Sequence, residues 1–333
     1  ASRLQKRIQL EAPMNRTTTK KYDIPFSHGV MFHHFTNHRH PAGQGAITAQ
    51  EFEDIIHFIG RENILNADQW YNDYINGTLE GGKICLTFDD ALKCQYEVAK
   101  PVLDKFNIKA FFFVYSSPLM GNVEPLEVYR FYRTTNFNNV EEYYDKFFST
   151  LQTSQFSNEV SEKLKDFNPK KYLEKFAFYT DEDRKFRFVR DKALGPQNYN
   201  LIMDKMIEEE RFVTPELFDI LWMNEKDVKT LNDEGHTIGL HSFTHPTALK
   251  DLPLEEQKKQ YDKNKKHLES LLNIKIETMS HPCNSYTSKT LEVLEGMDIH
   301  FGFRANMETG YNSSYEIPRE DHINVLNMIK EQS

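Results

Sequence analysis

Cysteine is scarce in this sequence. Only Cys85, Cys94 and Cys283 occur, with no CxxC pair, so neither a disulfide framework nor a cysteine-based zinc site is expected to organise the fold. That usage suits a reducing compartment. No run of roughly 18 apolar residues exists, so no transmembrane helix is expected. An excess of basic charge is also missing: 50 Asp and Glu stand against 41 Lys and Arg, a formal net charge of −9. This argues against nucleic acid or an anionic membrane as partner. Residues 1–21 are polar and basic and lack the apolar centre of a signal peptide. Residues 1–13 read as a vector remnant ahead of a native start at Met14. A cytoplasmic location is the resulting expectation, although a chain cleaved after export would look the same. No internal repeat is visible.

What is present suffices for a core. Hydrophobic residues make up 39% and aromatics 13% of 333 residues, which argues against disorder. The length exceeds that of an ordinary domain but fits a single α/β barrel. Residues 30–35 read as a short strand. Thr48 and Glu51 form a capping box, and Phe52, Ile55, Ile56 and Ile59 follow at helical spacing. Asn66 can cap a second helix through Trp70 and Tyr74. A buried strand is expected over 83–88, a helix over 96–106 despite Pro101, and a strand over 109–115. Strand, helix and strand within about thirty residues form a βαβ unit and imply a parallel sheet.

Residues 116–221 break that rhythm. They are rich in Tyr, Phe, Lys, Glu and Asn, with helical stretches at 140–151 and 199–211, and read as a long, mostly helical insertion or lid. Alternation then resumes. Helices are expected at 224–234, 254–272 and 287–295, and strands at 236–240, 275–279 and 299–303. The fold class expected is α/β, a distorted (β/α) barrel. It comprises an N-terminal extension (1–27), one barrel domain (28–326) interrupted by the insertion (116–221), and a C-terminal tail (327–333). In such folds chemistry collects at the C-terminal ends of parallel strands.

Three segments lie at expected strand ends. Thr87-Phe88-Asp89-Asp90 sets two carboxylates side by side, an arrangement a divalent metal makes tolerable by taking one and leaving the other as a base. His241 and His245 can face one metal if the turn between them is helical; two His and a carboxylate leave positions open for water and substrate. His34 and His38 form a competing pair, better read as ordinary loop histidines. Met279-Ser280-His281-Pro282-Cys283-Asn284-Ser285-Tyr286 suits a tight loop whose backbone N–H groups could stabilise an oxyanion. Cys283 has nothing specific beside it to activate a thiolate.

Taken together and in this order, the three segments resemble the polysaccharide deacetylase family, the NodB-homology fold of carbohydrate esterase family 4. Its Thr-Phe-Asp-Asp motif stands here as Thr87 to Asp90 and its His-Ser/Thr-x-x-His motif as His241 to His245. The resemblance implies Asp89 as general base and Asp90, His241 and His245 as ligands of a divalent metal, zinc first, with cobalt, nickel or iron as alternatives. The third motif departs from the family's pattern, since Pro282-Cys283-Asn284-Ser285-Tyr286 replaces Pro-Tyr-Gly-x-Tyr. The Arg that steadies the base in other members is missing from its usual place, near which His281 stands. Met31-Phe32-His33-His34 and Ile317-Pro318-Arg319 look like segments of the poly-N-acetylglucosamine deacetylase branch.

What this implies is hydrolysis of the N-acetyl or other N-acyl group of an amino sugar, nucleotide-linked, lipid-linked or polymeric, in bacterial surface polysaccharide or lipopolysaccharide O-antigen assembly. A backbone N–H at Tyr286 would help hold the oxyanion, and His33 or His322 would protonate the leaving amine. An amidohydrolase acting on a non-sugar amide and a catalytically silent carbohydrate-binding protein are the competing readings.

Overall fold

The computed structural model of the chain describes residues 21–174 and 179–332. The expected vector remnant lies outside the described residues. Seven strands form one parallel sheet: β1 (His28–Phe32), β2 (Ile84–Asp89), β3 (Phe111–Val114), β4 (Thr237–Leu240), β5 (Thr278–Ser280), β6 (Phe301–Phe303) and β7 (Arg319–Asp321). Their order is β6-β5-β4-β3-β2-β1-β7. The ends of the sheet nearly meet. Phe303 and Ile317 form a parallel bridge, Arg304 N–H donates to the Ile317 carbonyl (3.0 Å), and Ile317 N–H donates to the Gly302 carbonyl (3.0 Å). The result is a nearly closed, distorted (β/α) barrel.

Parallel strands covered on both faces read as continuous apolar runs, and β2 (ICLTFD) and β3 (FFFV) are buried throughout. Successive side chains alternate between two layers. Cys85, Phe111, Phe113, Phe301 and Phe303 fill the barrel interior. Leu86, Phe88, Phe112 and Val114 pack outward with Phe32 and the helices. Trp70, from the helix Ala67–Ile75, packs on Phe111, Phe301 and Phe303 and plugs the N-terminal end of the barrel. Chemistry is thereby left to the other end.

Most expected elements are present, with instructive differences. Pro101 does no harm, because a wide turn (Gln95–Ala99) precedes the helix Lys100–Lys105 and places the proline in its first turn, where no N–H is needed. Strand β7 and the helix His322–Lys330 were not expected, and that helix runs across the anticipated tail boundary at 326. In the expected N-terminal extension, Tyr22 is buried in the main core with its hydroxyl 2.7 Å from His28 Nε2. Between residues 116 and 221 all regular structure among the described residues is helical.

His236, just before β4, accepts a hydrogen bond at Nδ1 from Ala110 N–H (3.0 Å) and is buried. Burial, then the nearby Lys109, pull its pKa down to about 4. The unfolded chain therefore takes up a proton between pH 6.5 and 4 that the folded chain refuses. The contribution of His236 to stability is complete above pH 6.5 and is expected to fall by about 3 kcal/mol as the pH drops toward 4. His236→Gln keeps an acceptor without the titration. Its urea midpoint is expected to fall less than wild type between about pH 7 and pH 4.5; equal drops would remove His236 as the cause.

Candidate active site

Three strands deliver the three expected segments to one end of the barrel. Strand β2 ends on Asp89, β4 runs into His241, and β5 runs into His281. Each is followed by residues in the left-handed backbone region: Asp90 (φ 79°) and Ala91 (φ 51°), Ser242 (φ 66°) and His245 (φ 55°), Cys283 (φ 50°) and Asn284 (φ 53°). Six of the eleven non-glycine residues of this kind among the described residues thus sit at the strand ends. Such conformations cost about 1–3 kcal/mol each and persist where the surroundings over-determine them. They also replace the helical turn expected between the two histidines. His241 and His245 converge through an irregular loop in which His245 N–H donates to Ser242 Oγ (3.1 Å).

The convergence is tight. Asp90 Oδ1 lies 3.1 Å from His241 Nε2 and 3.2 Å from His245 Nε2, and one ligand atom from each of the three lies within 4.8 Å of the others. His241 Nδ1 stands 3.0 Å from the Ser280 carbonyl, an acceptor only, so Nδ1 carries the proton and the Nε2 lone pair points into the cluster. Asp90 Oδ1 is buried and receives no well-aligned hydrogen bond. A buried, unpartnered carboxylate oxygen facing two imidazole nitrogens fits a divalent cation bound by two His and one carboxylate. A second group, Asp104, Glu234 and His236, also brings ligand atoms within 4.8 Å, but Lys100 Nζ already binds Asp104 and Glu234 (2.8 and 2.6 Å).

Asp89 is held differently. Arg319 Nη1 donates to its Oδ1 and Nη2 to its Oδ2, both at 2.7 Å, and Ser280 Oγ adds 3.1 Å to Oδ1. Burial by itself would raise the pKa of this carboxyl; Arg319 first, then His241, outweigh it and hold it below the ordinary value. The arginine that appeared missing is therefore present. It comes from β7, and His281 does not replace it, since the His281 Nε2 lies 2.8 Å from the Tyr315 carbonyl instead. The Oδ1 atom of Asp89 is saturated. Oδ2 keeps an unshared direction toward His33 Nε2 (3.9 Å) and His241 Nε2 (4.0 Å).

Of the two candidate proton donors, only His33 reaches the site. It lines the cavity, with Nε2 also 4.0 Å from Asp90 Oδ2. His322 is buried elsewhere: its ring stacks on Phe32, Nδ1 faces the Met31 carbonyl (3.1 Å) and Nε2 the Gly45 carbonyl (2.9 Å), so no nitrogen remains for a substrate. Tyr286 is likewise displaced. This residue, whose backbone N–H was the expected oxyanion donor, does not line the cavity, where Cys283 and Asn284 stand in its stead; its ring stacks on His281 at 4.0 Å and its hydroxyl donates to Glu316 (2.9 Å). The Cys283 thiol is pushed up to about 11 by burial and then by Asp90 and Asp89, so it is no thiolate nucleophile at neutral pH.

The insertion completes the site with residues that the sequence reading passed over. A cavity of about 1070 Å³ is shared between the strand ends and the insertion. His34, expected to be an ordinary loop residue, pairs through Nε2 with both oxygens of Glu127 (3.0 and 2.9 Å) on the insertion helix Pro125–Thr135. His38, its expected competitor partner, is exposed and does not line the cavity. Tyr115, at the end of β3, also lines the cavity, and its hydroxyl accepts from Trp222 Nε1 (2.6 Å). The only sequence signal for these contacts was the aromatic richness of 116–221.

A family profile described as polysaccharide deacetylase matches residues 196–302, which include His241, His245 and the 279–286 loop. Solved structures agree over most of the chain. The Streptococcus pyogenes deacetylase PplD, solved with acetate, is 14% identical with a TM-score of 0.52, covering 92% of this chain and 98% of its own. The chain has the polysaccharide deacetylase fold. IcaB from Ammonifex degensii (14% identical, TM-score 0.53) and a de-N-acetylase from Aggregatibacter actinomycetemcomitans (12%, TM-score 0.50) each match 92% of this chain, over 97% and 99% of their own lengths. No curated protein matches the chain in sequence. In this deacetylase fold the Asp89–Arg319 pair is open to direct test. Arg319→Met strands a buried carboxylate and is expected to cost about 3–5 kcal/mol in denaturant unfolding. Adding Asp89→Asn is expected to return part of that loss, a coupling read from the double-variant cycle; strictly additive losses would mean that the two residues do not stabilise each other.

Proposed function

We propose that the chain is a metal-dependent deacylase that hydrolyses the N-acetyl, or another N-acyl, group of an amino sugar. The carrying observation is the juxtaposition of two differently held carboxylates. Asp90 faces His241 and His245 with an unpartnered oxygen, and Asp89 is fixed beside it by Arg319 with one oxygen left open. Neighbouring carboxylates in unlike surroundings divide their tasks. The similarity of the 196–302 segment to polysaccharide deacetylases supports a carbohydrate amide as substrate. The substrate's wider setting, a surface polysaccharide or lipopolysaccharide O-antigen and its precursors, belongs to the same proposal.

Asp90, His241 and His245 would hold the ion. When bound, a divalent cation supplies Lewis acidity, polarising an acyl oxygen and bringing the pKa of water from about 15.7 toward roughly 7. The chain's own groups perform the remaining steps. Asp89 is ionised across the neutral range, and its Oδ2 takes a proton from the attacking water as the water oxygen bonds to the acyl carbon. Arg319 keeps the carboxylate in that orientation and prevents rotation away. His33 Nε2, on the cavity wall 3.9 Å from Asp89 Oδ2, passes that proton on to the amine nitrogen as the carbon–nitrogen bond breaks, and the second hydrogen of the water leaves on the released acid. One water is consumed, and the proton gained by the amine balances the one lost to Asp89.

Two variants separate holding from reacting. His241→Ala is expected to lower bound metal from about one per chain to near zero, read by elemental mass spectrometry. Asp89→Asn is expected to keep the metal and lose at least about a hundredfold of acetate release from N-acetylglucosamine oligomers. Near-normal turnover in Asp89→Asn would reject the assignment of the base. A wild-type protein that takes up no metal after dialysis against zinc would bring forward a silent carbohydrate-binding role.

A further inference from the structure

Charge on the cavity wall is unevenly compensated. Each acid lining it has a partner. Asp89 is held by Arg319, Asp90 faces two histidines, Glu127 is taken by His34, Glu124 accepts from the Ser117 hydroxyl, and Asp191 binds Arg190 through Nε (2.5 Å) and Nη2 (2.9 Å). Two cations on the same wall have no such match. Arg130 and Arg133 lie one turn apart on the helix Pro125–Thr135, so they share a face. Neither has a carboxylate within 4.0 Å among the described residues. Arg130 Nη2 donates to the Gln44 carbonyl (3.0 Å), and the Arg133 guanidinium stands 6.0 Å from the Tyr143 ring.

Both side chains are half-buried, and burial lowers the pKa of Arg130 despite the pull of Glu127. Glu127, already paired with His34 and beyond ion-pair distance of Arg130, offsets only part of the cost of withdrawing that guanidinium from water. The barrel also makes room for it: a Cβ on Gly43 would stand 2.8 Å from Arg130 Nη2 and 3.0 Å from its Cζ. Gly43 has no left-handed backbone angle, and a side chain there would oblige the Arg130 guanidinium to shift. A planar fork of N–H donors matches the oxygens of a phosphate or carboxylate. The cavity, about 1070 Å³, exceeds the upper end of the roughly 300–1,000 Å³ usual for small-molecule pockets. It therefore has space beyond the sugar that reaches Asp90.

We propose that Arg130 and Arg133 form an anion subsite, which binds a phosphate or carboxylate group carried by the amino-sugar substrate. The inference rests on the amino-sugar reading for the nature of the attached group. It makes the substrate an acidic amino-sugar compound, either a sugar phosphate or an acidic sugar, where neutral oligomers are the poorer ligands. Recognition then belongs to the insertion and hydrolysis to the strand ends.

The test compares three ligands that share one sugar. N-acetylglucosamine, N-acetylglucosamine 1-phosphate and N-acetylmuramic acid are titrated calorimetrically into the metal-loaded wild type, Arg130→Gln/Arg133→Gln and Gly43→Ala. In wild type, at least one anionic ligand is expected to bind about tenfold or more tightly than the neutral sugar. Preference for the phosphate alone assigns a sugar phosphate, for the carboxylate alone an acidic sugar, and for both a general anion subsite. The double variant is expected to bring all three ligands within about twofold of one another, with unchanged metal content and near-ultraviolet circular dichroism showing that it is folded. Gly43→Ala displaces one guanidinium without removing charge and is expected to fall between the two. Equal binding of all three ligands by wild type, no binding of any, or a preference that survives in the double variant overturns the subsite. Acetate release from each of the three ligands by wild type is measured separately. Its absence with all three would count against the deacylase reading, whatever the calorimetry gives.

Discussion

A charge buried inside a barrel must be answered from inside the barrel, and the pair of Asp89 and Arg319 is that answer here. Arg319 is fully buried, lies over the faces of Phe113 and Phe303, and donates to Asp89, to Thr87 Oγ1 and to the Arg304 carbonyl. Gly29 on β1 gives its chain room, since a Cβ there would stand 3.1 Å from Arg319 Cγ. The pair links β2 across β1 to the edge strand β7, and Arg319 also reaches the Arg304 carbonyl just after β6, the other edge. One side chain, Arg319, thus both orients the Asp89 carboxylate and touches the seam where the sheet edges meet. Removing either partner leaves the other charge in an apolar interior, where the penalty exceeds what the pair contributes when intact.

That constraint explains which parts of the fold were legible. Parallel strands buried on both faces show up as apolar runs, and so β2, β3 and β4, with the acids and histidines at their ends, could be read directly. Strand β7 could not. Its residues are Arg319, Glu320 and Asp321, and no hydrophobic period exists in three charged residues whose side chains serve polar ends inside and beside the barrel. The arginine was sought in the segment where sequence order would place it, whereas the barrel brings it from 230 positions away. His322 and Tyr286 failed for the opposite reason. Each has the right neighbourhood in sequence, but His322 stacks on Phe32 with both ring nitrogens against backbone carbonyls, and Tyr286 stacks on His281 outside the cavity that Cys283 and Asn284 line. Residue type and spacing do not carry that information.

The loops after β2, β4 and β5 show what the barrel's rigidity is used for. A histidine pair four residues apart would normally need a helical turn to converge. Here Ser242 and His245 adopt left-handed backbones, and Asp90 and Ala91 do the same opposite them. Strain at these points is held in place by neighbours. Asp90 N–H donates to the Phe113 carbonyl (3.1 Å), and the Asn264 side chain accepts from His241 N–H (3.0 Å) while donating to the Val114 carbonyl and Ser116 Oγ. The geometry of the Asp90, His241 and His245 cluster is therefore set by the barrel and the helix Leu254–Leu272 together.

The insertion participates in that support, so it cannot be treated as a detachable lid. Its return passes directly along the turn that carries Asp90. Leu92 and Trp222 form an antiparallel bridge, Met223 N–H donates to the Ala91 carbonyl (2.8 Å), and Trp222 Nε1 donates to the Tyr115 hydroxyl (2.6 Å), which joins the end of the insertion to its beginning. Farther along, Glu127 reaches back to His34 beside β1. The contacts that shape the cavity wall are thus continuous with those that hold the strained Asp90–Ala91 turn. Among the described residues the insertion is tied to the strand-end groups through its two ends and Glu127, so divergence in its outer helices would alter the cavity wall more than those groups. Trp222 stands where both meet: its ring nitrogen ties the wall to Tyr115, and its backbone leads directly into the Met223 N–H that holds the Ala91 carbonyl.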